Sequence, residues 1–282
     1  MQLGINTFLF TSPFTNASVH LFPQFKNWGF DFVEIALEDP AHIDASFIKL
    51  ELEKNGLSCQ AVCAAMSPDR DLRGTEEQQQ TALVYLKGLI DQMVILGCPL
   101  LVGPLYSSVG RADQVPKEDY QQQWRTVVQH LKGLSKYAQE RNITLAIEPL
   151  NRFETDFINT CDQGLQMISD VAHPALMLHL DSFHMNIEEK HLDKAILKAG
   201  DKLGHFHACG SDRGTPGNDH MTWTTIFQAL KKINYRGTIA IESFTTDVKV
   251  IAKAAAIWRH IEPSGEEIAE KGIAFLRSQM LA

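Results

Sequence analysis

Four polar residues end short apolar runs in the second half of the chain. Glu148 ends "TLAIE", Asp181 ends "LMLHLD", His207 lies in "HFHACG" and Glu242 ends "TIAIE". A carboxylate among apolar side chains is costly to bury unless something pairs with it. Three carboxylates that meet would also repel one another and raise one another's pKa, and a divalent cation would remove both costs.

The composition of this set predicts a metal site. Two Glu, one Asp and one neutral His form a mixed oxygen and nitrogen set without a thiolate, which suits Mn²⁺, Mg²⁺ or Co²⁺, with Zn²⁺ as an alternative. A single carboxylate at a strand end is usually a helix cap, and a single His is more often a hydrogen-bonded core residue. Four such residues at the same level of four successive strands favour a metal site instead.

Three more polar residues follow the expected ligands. Glu154 comes six residues after Glu148, His184 three after Asp181, and Arg213 six after His207. Each alone would usually be a solvated loop residue. Together they offer a carboxylate, an imidazole and a guanidinium, which suits hydrogen bonding to a hydroxyl-rich ligand.

Five further residues leave alternatives open. Glu34 and Glu38 lie late in the second apolar run and fit either a role in the site or a loop ion pair. His179 and His205 fit hydrogen-bonded core histidines or residues that support the ligands. Cys63 is expected in the wall of the site, as a small apolar filler rather than a nucleophile, because no partnered base is evident.

The elements that must position these residues are short apolar runs, typical of strands, that alternate with segments of helical spacing. Short apolar runs, often bounded by Gly, Pro, Asn or Ser, recur at 3–10, 32–38, 59–66, 100–106, 144–151, 176–184, 203–210 and 237–244. Segments with helical spacing follow each of them, the longest at 76–97 and 118–142 and others near 19–28, 44–55, 162–172, 189–199, 222–234, 247–258 and 264–281.

This alternation predicts an α/β fold, a single (β/α)8 TIM barrel occupying residues 1–282 as one domain. No G-x-G-x-x-G follows the first run, so nothing favours a doubly wound sheet. In such a barrel the late part of each strand lies at the carboxyl-terminal face, where active sites are built.

The composition of the chain limits the binding partners and the cellular location that we expect. The net charge of −8 disfavours nucleic acid as a ligand. No apolar run reaches about 18 residues, so we expect no membrane span. The five cysteines are odd in number and contain no C-x-x-C pair, which is typical of reduced thiols and predicts a cytoplasmic protein.

At the site residues the sequence resembles the ketose 3-epimerases, the D-tagatose and D-allulose (psicose) 3-epimerase group of the xylose-isomerase-like barrels. The matching segments are "IEPLNRFETDF", "LHLDSFHMNIEE", "HFHACGSDRGTPG" and "IAIESF". They cover the last four expected strands with their loops, and the strand rhythm extends the match along the chain.

The resemblance implies roles for these residues. Glu148, Asp181, His207 and Glu242 would bind a divalent metal, usually Mn²⁺ in this group, and Glu148 and Glu242 would be the catalytic pair. Glu154, His184 and Arg213 would hold the O1 to O3 end of an open-chain ketose. The resemblance also suggests a homodimer or homotetramer.

The amino-terminal half matches less closely. Phe8, Phe10 and Phe14 stand where relatives often place Trp or Tyr in contact with the far end of the sugar. This departure leaves the preferred ketose open among D-tagatose, D-fructose or D-allulose and L-ribulose.

The expected reaction is epimerisation at C3, in which one carboxylate removes the C3 proton and the other returns one on the opposite face. An aldose–ketose or hydroxypyruvate-type isomerase could use the same metal and Glu pair, although His207 and the Arg213 loop favour epimerisation. A non-catalytic metal-dependent sugar-binding protein is a further alternative, but it would not need two carboxylates at proton-transfer positions. An endonuclease-like barrel would need more metal-binding His and a basic groove.

Overall fold

The computed structural model describes residues 1–281 and confirms the expected barrel. Eight parallel strands pair in sequence order, and β8 pairs with β1 to close the barrel. The strands are β1 Gln2–Asn6, β2 Phe32–Leu37, β3 Cys59–Ala64, β4 Leu100–Gly103, β5 Thr144–Ile147, β6 Leu176–Asp181, β7 Leu203–Ala208 and β8 Thr238–Ile241.

Helices surround the barrel. They are α1 Phe22–Trp28, α2 Ala45–Lys54, α3 Glu76–Leu96, α4 Lys117–Gln139, α5 Cys161–Val171, α6 Ser182–Glu188, α7 Leu192–Ala199, α8 Trp223–Lys232, α9 Lys249–Ala254 and α10 Gly265–Leu281. Among residues 1–281, no helix combines the length and apolarity that crossing a bilayer requires.

The strands are buried because helices cover one face and side chains fill the barrel on the other. All six residues of β2 are buried, for example. The Phe32 side chain packs against Gly4 of the neighbouring strand β1, where a Cβ atom would lie 2.3 Å from the Phe32 ring. A residue without a side chain is therefore required at this position of β1.

Several strands end earlier than the apolar runs predict. β1 stops at Asn6, and Thr7–Leu9 form a short 3-10 helix. β6 stops at Asp181, whose side chain accepts a hydrogen bond from the Phe183 amide and so caps α6. The extended prediction over 182–184 was therefore wrong, because an N-cap residue redirects the chain into a helix.

Candidate active site

The four expected ligands converge at the carboxyl-terminal end of the barrel. Glu148 and Glu242 directly follow β5 and β8, while Asp181 is the last residue of β6 and His207 is the last but one of β7. One ligand-capable atom from each lies within 4.8 Å of the others, and all four residues are buried. Polar residues late in the strands were expected to meet at this face, and these four do, because the parallel strands of a barrel all end at one face.

His207 is oriented from below by Glu34. Its Nε2 lies 2.7 Å from Glu34 Oε1, and its Nδ1 lies 3.3 Å from Glu242 Oε2. Glu34 Oε1 also accepts a hydrogen bond of 2.7 Å from Asn6 Nδ2. Because Glu34 engages Nε2, His207 presents Nδ1 to the carboxylates, which is how a metal-binding imidazole is commonly fixed.

Arg213 reaches into the same cluster. Its Nη1 donates to Asp181 Oδ2 at 2.7 Å and to Glu242 Oε2 at 3.0 Å. The guanidinium carbon lies 4.0 Å from the ring centroid of Phe183 and 4.8 Å from that of Phe244. The guanidinium therefore supplies positive charge between two of the buried carboxylates, and two aromatic rings hold it there.

A second set of polar contacts lies beside the ligands. Arg213 Nη2 is 3.1 Å from His184 Nε2, and His184 Nδ1 accepts a hydrogen bond of 3.0 Å from the Asn151 amide. The side chain of Asn151 donates to Glu154 Oε1 at 2.8 Å. The structure thus brings together the three residues expected to face a sugar, His184, Arg213 and Glu154.

The two glutamates that flank the cluster have opposite pKa shifts. Burial, followed by the charge of Glu242, raises the pKa of Glu148 well above its usual range. Burial also acts to raise the pKa of Glu242, but the charge and hydrogen bond of His207 together with the charge of Arg213 lower that pKa below its usual range. Burial raises the pKa of Asp181 to about 6, against the lowering effect of Arg213. In the metal-free protein, this environment favours a proton on Glu148 and an ionised Glu242.

The chemistry of the cluster fits a divalent cation. Three carboxylates and one imidazole face each other in a buried cluster, and among residues 1–281 the buried Glu148 Oε1 has no hydrogen-bond partner. Such oxygen and nitrogen donors suit Mn²⁺, Co²⁺ or Mg²⁺. Cys63 is near Glu34 and Glu242, but burial and the charges of those two carboxylates raise the pKa of its thiol. A protonated thiol is a wall residue rather than a nucleophile or a ligand.

The two acidic residues of the second run have different roles in the structure. Glu34 is completely buried beneath His207. Glu38 lies after the end of β2 and accepts hydrogen bonds from Ser12 Oγ and the Phe14 amide. Glu34 thus belongs to the site, and Glu38 fixes the loop after β1.

Only one of the three phenylalanines near the amino terminus reaches the barrel mouth. Phe8 packs against two clusters, one containing Cys63 and the other containing Phe244. Phe14 is completely buried and stacks on Phe22, and Phe10 stacks on Trp28. Phe10 and Phe14 pack among these other aromatic residues because β1 ends at Asn6 and the alternation of a strand does not continue through them.

Two site residues were missed in the sequence. Asn6 donates to Glu34 and also to Glu242, at 3.3 Å, and Asn151 links His184 to Glu154. Asn6 is a polar residue that ends the apolar run "LGIN", so the rule that found Glu148 would also have found it. Asn151 lies in a loop, where no periodicity distinguishes it from solvated neighbours.

Comparison with protein families identifies the class of barrel to which the chain belongs. Residues 22–279 match the family model described as the xylose isomerase-like TIM barrel. The match spans the strands and loops that build the cluster.

Curated relatives and solved structures give the group within that class. The chain is 35% identical over 281 residues to the "Probable ketose 3-epimerase" of Synechocystis sp., covering 98% of this chain and 96% of that protein. It is 32% identical to the L-ribulose 3-epimerase of Methylomonas sp., covering 89% and 87%. A crystal structure of D-allulose 3-epimerase from Methylomonas sp. in complex with D-allulose superposes with a TM-score of 0.93 at 29% identity, covering 99% and 97% of the two chains. The chain belongs to the ketose 3-epimerases of the xylose isomerase-like TIM barrels.

Proposed function

We propose that this protein is an isomerase that epimerises free ketoses at C3 with the help of a divalent metal. The observation that carries the proposal is the pair of buried glutamates, Glu148 after β5 and Glu242 after β8, which lie in one cluster with Asp181 and His207. Two carboxyl groups in one buried site are suited to act as acid and base. The relatives named as ketose, L-ribulose and D-psicose 3-epimerases support the same reaction.

Glu148 and Glu242 would move the protons. The C3 hydrogen of an open-chain ketose is acidified by the adjacent C2 carbonyl. The ionised glutamate removes this proton from one face, and the protonated glutamate delivers a proton to C3 from the other face. The two glutamates exchange roles for the opposite epimer, and each such group typically contributes roughly 10²- to 10⁴-fold in rate.

The metal would be held by Glu148, Asp181, His207 and Glu242, and we propose Mn²⁺, with Co²⁺ or Mg²⁺ as substitutes. A bound divalent cation supplies positive charge where negative charge develops on the sugar oxygens. The burial of all four residues supports this assignment, since solvent is excluded from the reacting atoms.

The remaining site residues would orient the sugar. Glu154, His184 and Arg213 present hydrogen-bonding groups beside the cluster and would hold the O1 to O3 end of the ketose. Phe8 and Cys63 would form the apolar wall near the far end of the substrate. The D-allulose and D-tagatose named for two solved relatives are free ketoses, which carry the hydroxyl groups that such polar side chains bind.

We also infer that the chain acts as one domain and assembles as a homodimer or homotetramer in the cytoplasm. The pairing of β1 with β8 joins the two ends of the chain in one barrel. All five cysteines are free and buried, as suits a reducing compartment. Light scattering on the purified protein would measure the oligomeric state.

The decisive experiment follows the proton in D₂O. Early product from D-fructose or D-tagatose with Mn²⁺ should carry deuterium at C3, because the proton delivered is not the one removed, while C1 stays unlabelled. Label at C1 would indicate an aldose–ketose isomerase, and product that retains its original C3 hydrogen would contradict the two-carboxylate mechanism. Glu148→Gln and Glu242→Gln should each lose at least about 10²-fold in rate, with Glu38→Gln as a matched control that keeps activity.

A further inference from the structure

His179 is a buried histidine without a hydrogen-bond partner. It lies on β6 two residues before Asp181, and its side chain is completely buried. Among residues 1–281, neither Nδ1 nor Nε2 meets a partner. Buried polar groups are nearly always paired, so an imidazole in this state calls for a physical explanation.

Its neighbours on β7 each have one hydrogen-bonded ring nitrogen. His205 Nδ1 lies 2.8 Å from Thr238 Oγ1, and His205 Nε2 lies 2.6 Å from Glu34 Oε2. His207 Nε2 is engaged by Glu34. The His179 ring stands edge-on to both imidazoles, with centroids at 4.9 Å from His205 and 4.1 Å from His207, and these rings offer it packing rather than an acceptor.

Glu148 is the carboxylate that His179 faces. His179 Nδ1 lies 3.6 Å from Glu148 Oε2, slightly longer than a hydrogen bond. A shift of roughly 0.6 Å would close the gap to the usual N–H···O distance. A neutral imidazole has one ring N–H to donate, and Glu148 Oε2 is the carboxylate oxygen that Nδ1 faces.

We propose that His179 is a positioning residue that donates its Nδ1–H to Glu148 Oε2 and so fixes the direction of that carboxylate. The inference deepens the proposed function, since it rests on Glu148 being a metal ligand and proton-transfer group. With Oε2 held, the carboxylate of Glu148 cannot turn about its last bond, and Oε1 keeps one place in the cluster.

A second cation site is the competing interpretation. Ligand atoms of His179, His205 and His207 lie within 4.8 Å of one another. A cation there would have to compete with the Glu34 carboxylate, which lies 2.6 Å from His205 Nε2 and 2.7 Å from His207 Nε2. These contacts favour the positioning role, and metal stoichiometry separates the two.

The test compares His179→Leu, which removes the donor, with His179→Asn, whose amide N–H lies near the place of Nδ1. Thr238→Val is the matched control, because it removes a hydrogen bond from the neighbouring His205 without touching Glu148. We expect His179→Leu to weaken Mn²⁺ affinity in calorimetry by about tenfold to a hundredfold, as loss of a group that orients a ligand typically does. At saturating Mn²⁺, its kcat should fall by at least about tenfold with KM changed less than about threefold. His179→Asn should recover most of both losses, and Thr238→Val should resemble the wild type.

Several outcomes would overturn the proposal. They are wild-type affinity and kcat in His179→Leu, equal impairment in His179→Asn and His179→Leu at equal melting temperatures, or a second bound Mn²⁺ per chain that only His179→Leu loses. If His179→Leu does not fold, His179→Gln replaces it, since its amide lies near Nε2 and should not rescue. The wild type could also epimerise no ketose while His179→Leu still loses Mn²⁺ affinity. This result would contradict the proposed function but would support the positioning of Glu148 by His179.

Discussion

Replacing Arg213 with Ala should destabilise the metal-free protein far more than the metal-loaded protein. Arg213 Nη1 contacts both Asp181 and Glu242 in a cluster that contains a third carboxylate, Glu148. Without the guanidinium, these buried acidic groups keep no positive charge except that of His207. A bound divalent cation would replace the missing charge, and the loaded protein should therefore tolerate the substitution.

The magnitude follows from the burial of the ion pairs. Arg213 and Asp181 are 4% and 1% exposed, and Glu242 is 7% exposed. Removing one partner of a buried pair costs about 3–5 kcal/mol. At about 2 °C per kcal/mol for a chain of this size, the metal-free variant should melt ~6–10 °C below the metal-free wild type. With saturating Mn²⁺, the difference should fall to less than half of that.

Metal affinity and turnover should change in different directions. The wild-type guanidinium must leave Asp181 and Glu242 before a cation can take both, whereas Arg213→Ala has no such competitor. The variant should therefore bind Mn²⁺ at least as tightly as the wild type in calorimetry. Its turnover should still fall, because a group that would orient the sugar is gone.

The matched control is Arg152→Ala. Arg152 is an exposed arginine on the loop after β5, and it pairs with Glu188 of α6. This substitution should leave the melting temperature and the metal content nearly unchanged. Loss of bound metal from Arg213→Ala, or a metal-free variant that melts with the wild type, would refute the reasoning. The first result would make Arg213 a structural part of the metal site, and the second would show that it does not balance the carboxylates.

Three other predictions concern the metal. Dialysis against EDTA should abolish epimerisation and lower the melting temperature, and Mn²⁺ or Co²⁺ should restore both; full activity in metal-free protein would exclude a metal role. Calorimetric Mn²⁺ affinity should rise with pH through about 6, because protons compete for Asp181, whose pKa is raised to about 6, and for Glu148, whose pKa is also raised; affinity independent of pH between about 5.5 and 7.5 would contradict this. Glu34→Gln should weaken Mn²⁺ binding about tenfold to a hundredfold because it loosens His207, while Glu38→Gln, which alters only a loop contact, should not; equal effects would mean that Glu34 does not orient the ligand.

The position of the main ligands could be predicted from the sequence because it depends on chain direction alone. Parallel strands of a closed barrel all end at one face, so polar residues that end apolar runs must meet there. Glu148, Asp181, His207 and Glu242 meet this condition, and so does Asn6. No knowledge of strand length or helix packing is needed for that inference.

Alternation along the apolar runs did not separate Glu34 from Glu38, and it did not place Phe10 and Phe14. Glu34 and Glu38 share the parity of one strand, but β2 ends at Leu37, so Glu38 turns to the loop of Ser12 and Phe14. Phe10 and Phe14 likewise follow the end of β1 and pack among the outer aromatic residues. Alternation of side chains holds only within a strand, and a cap or a 3-10 turn that ends the strand is decided by local hydrogen bonds.

The sequence by itself therefore determined the barrel and the residues at its carboxyl-terminal face. Only the tertiary structure decided which of them touch. The contact of Glu34 with His207 joins residues 173 positions apart, and that of Asn6 with Glu242 spans 236 positions. The placement of Arg213 between Asp181 and Glu242, and of His179 opposite Glu148, likewise depends on barrel closure and on the rotamers that the packed interior permits. These contacts are set by distance in space, for which spacing along the chain carries no information.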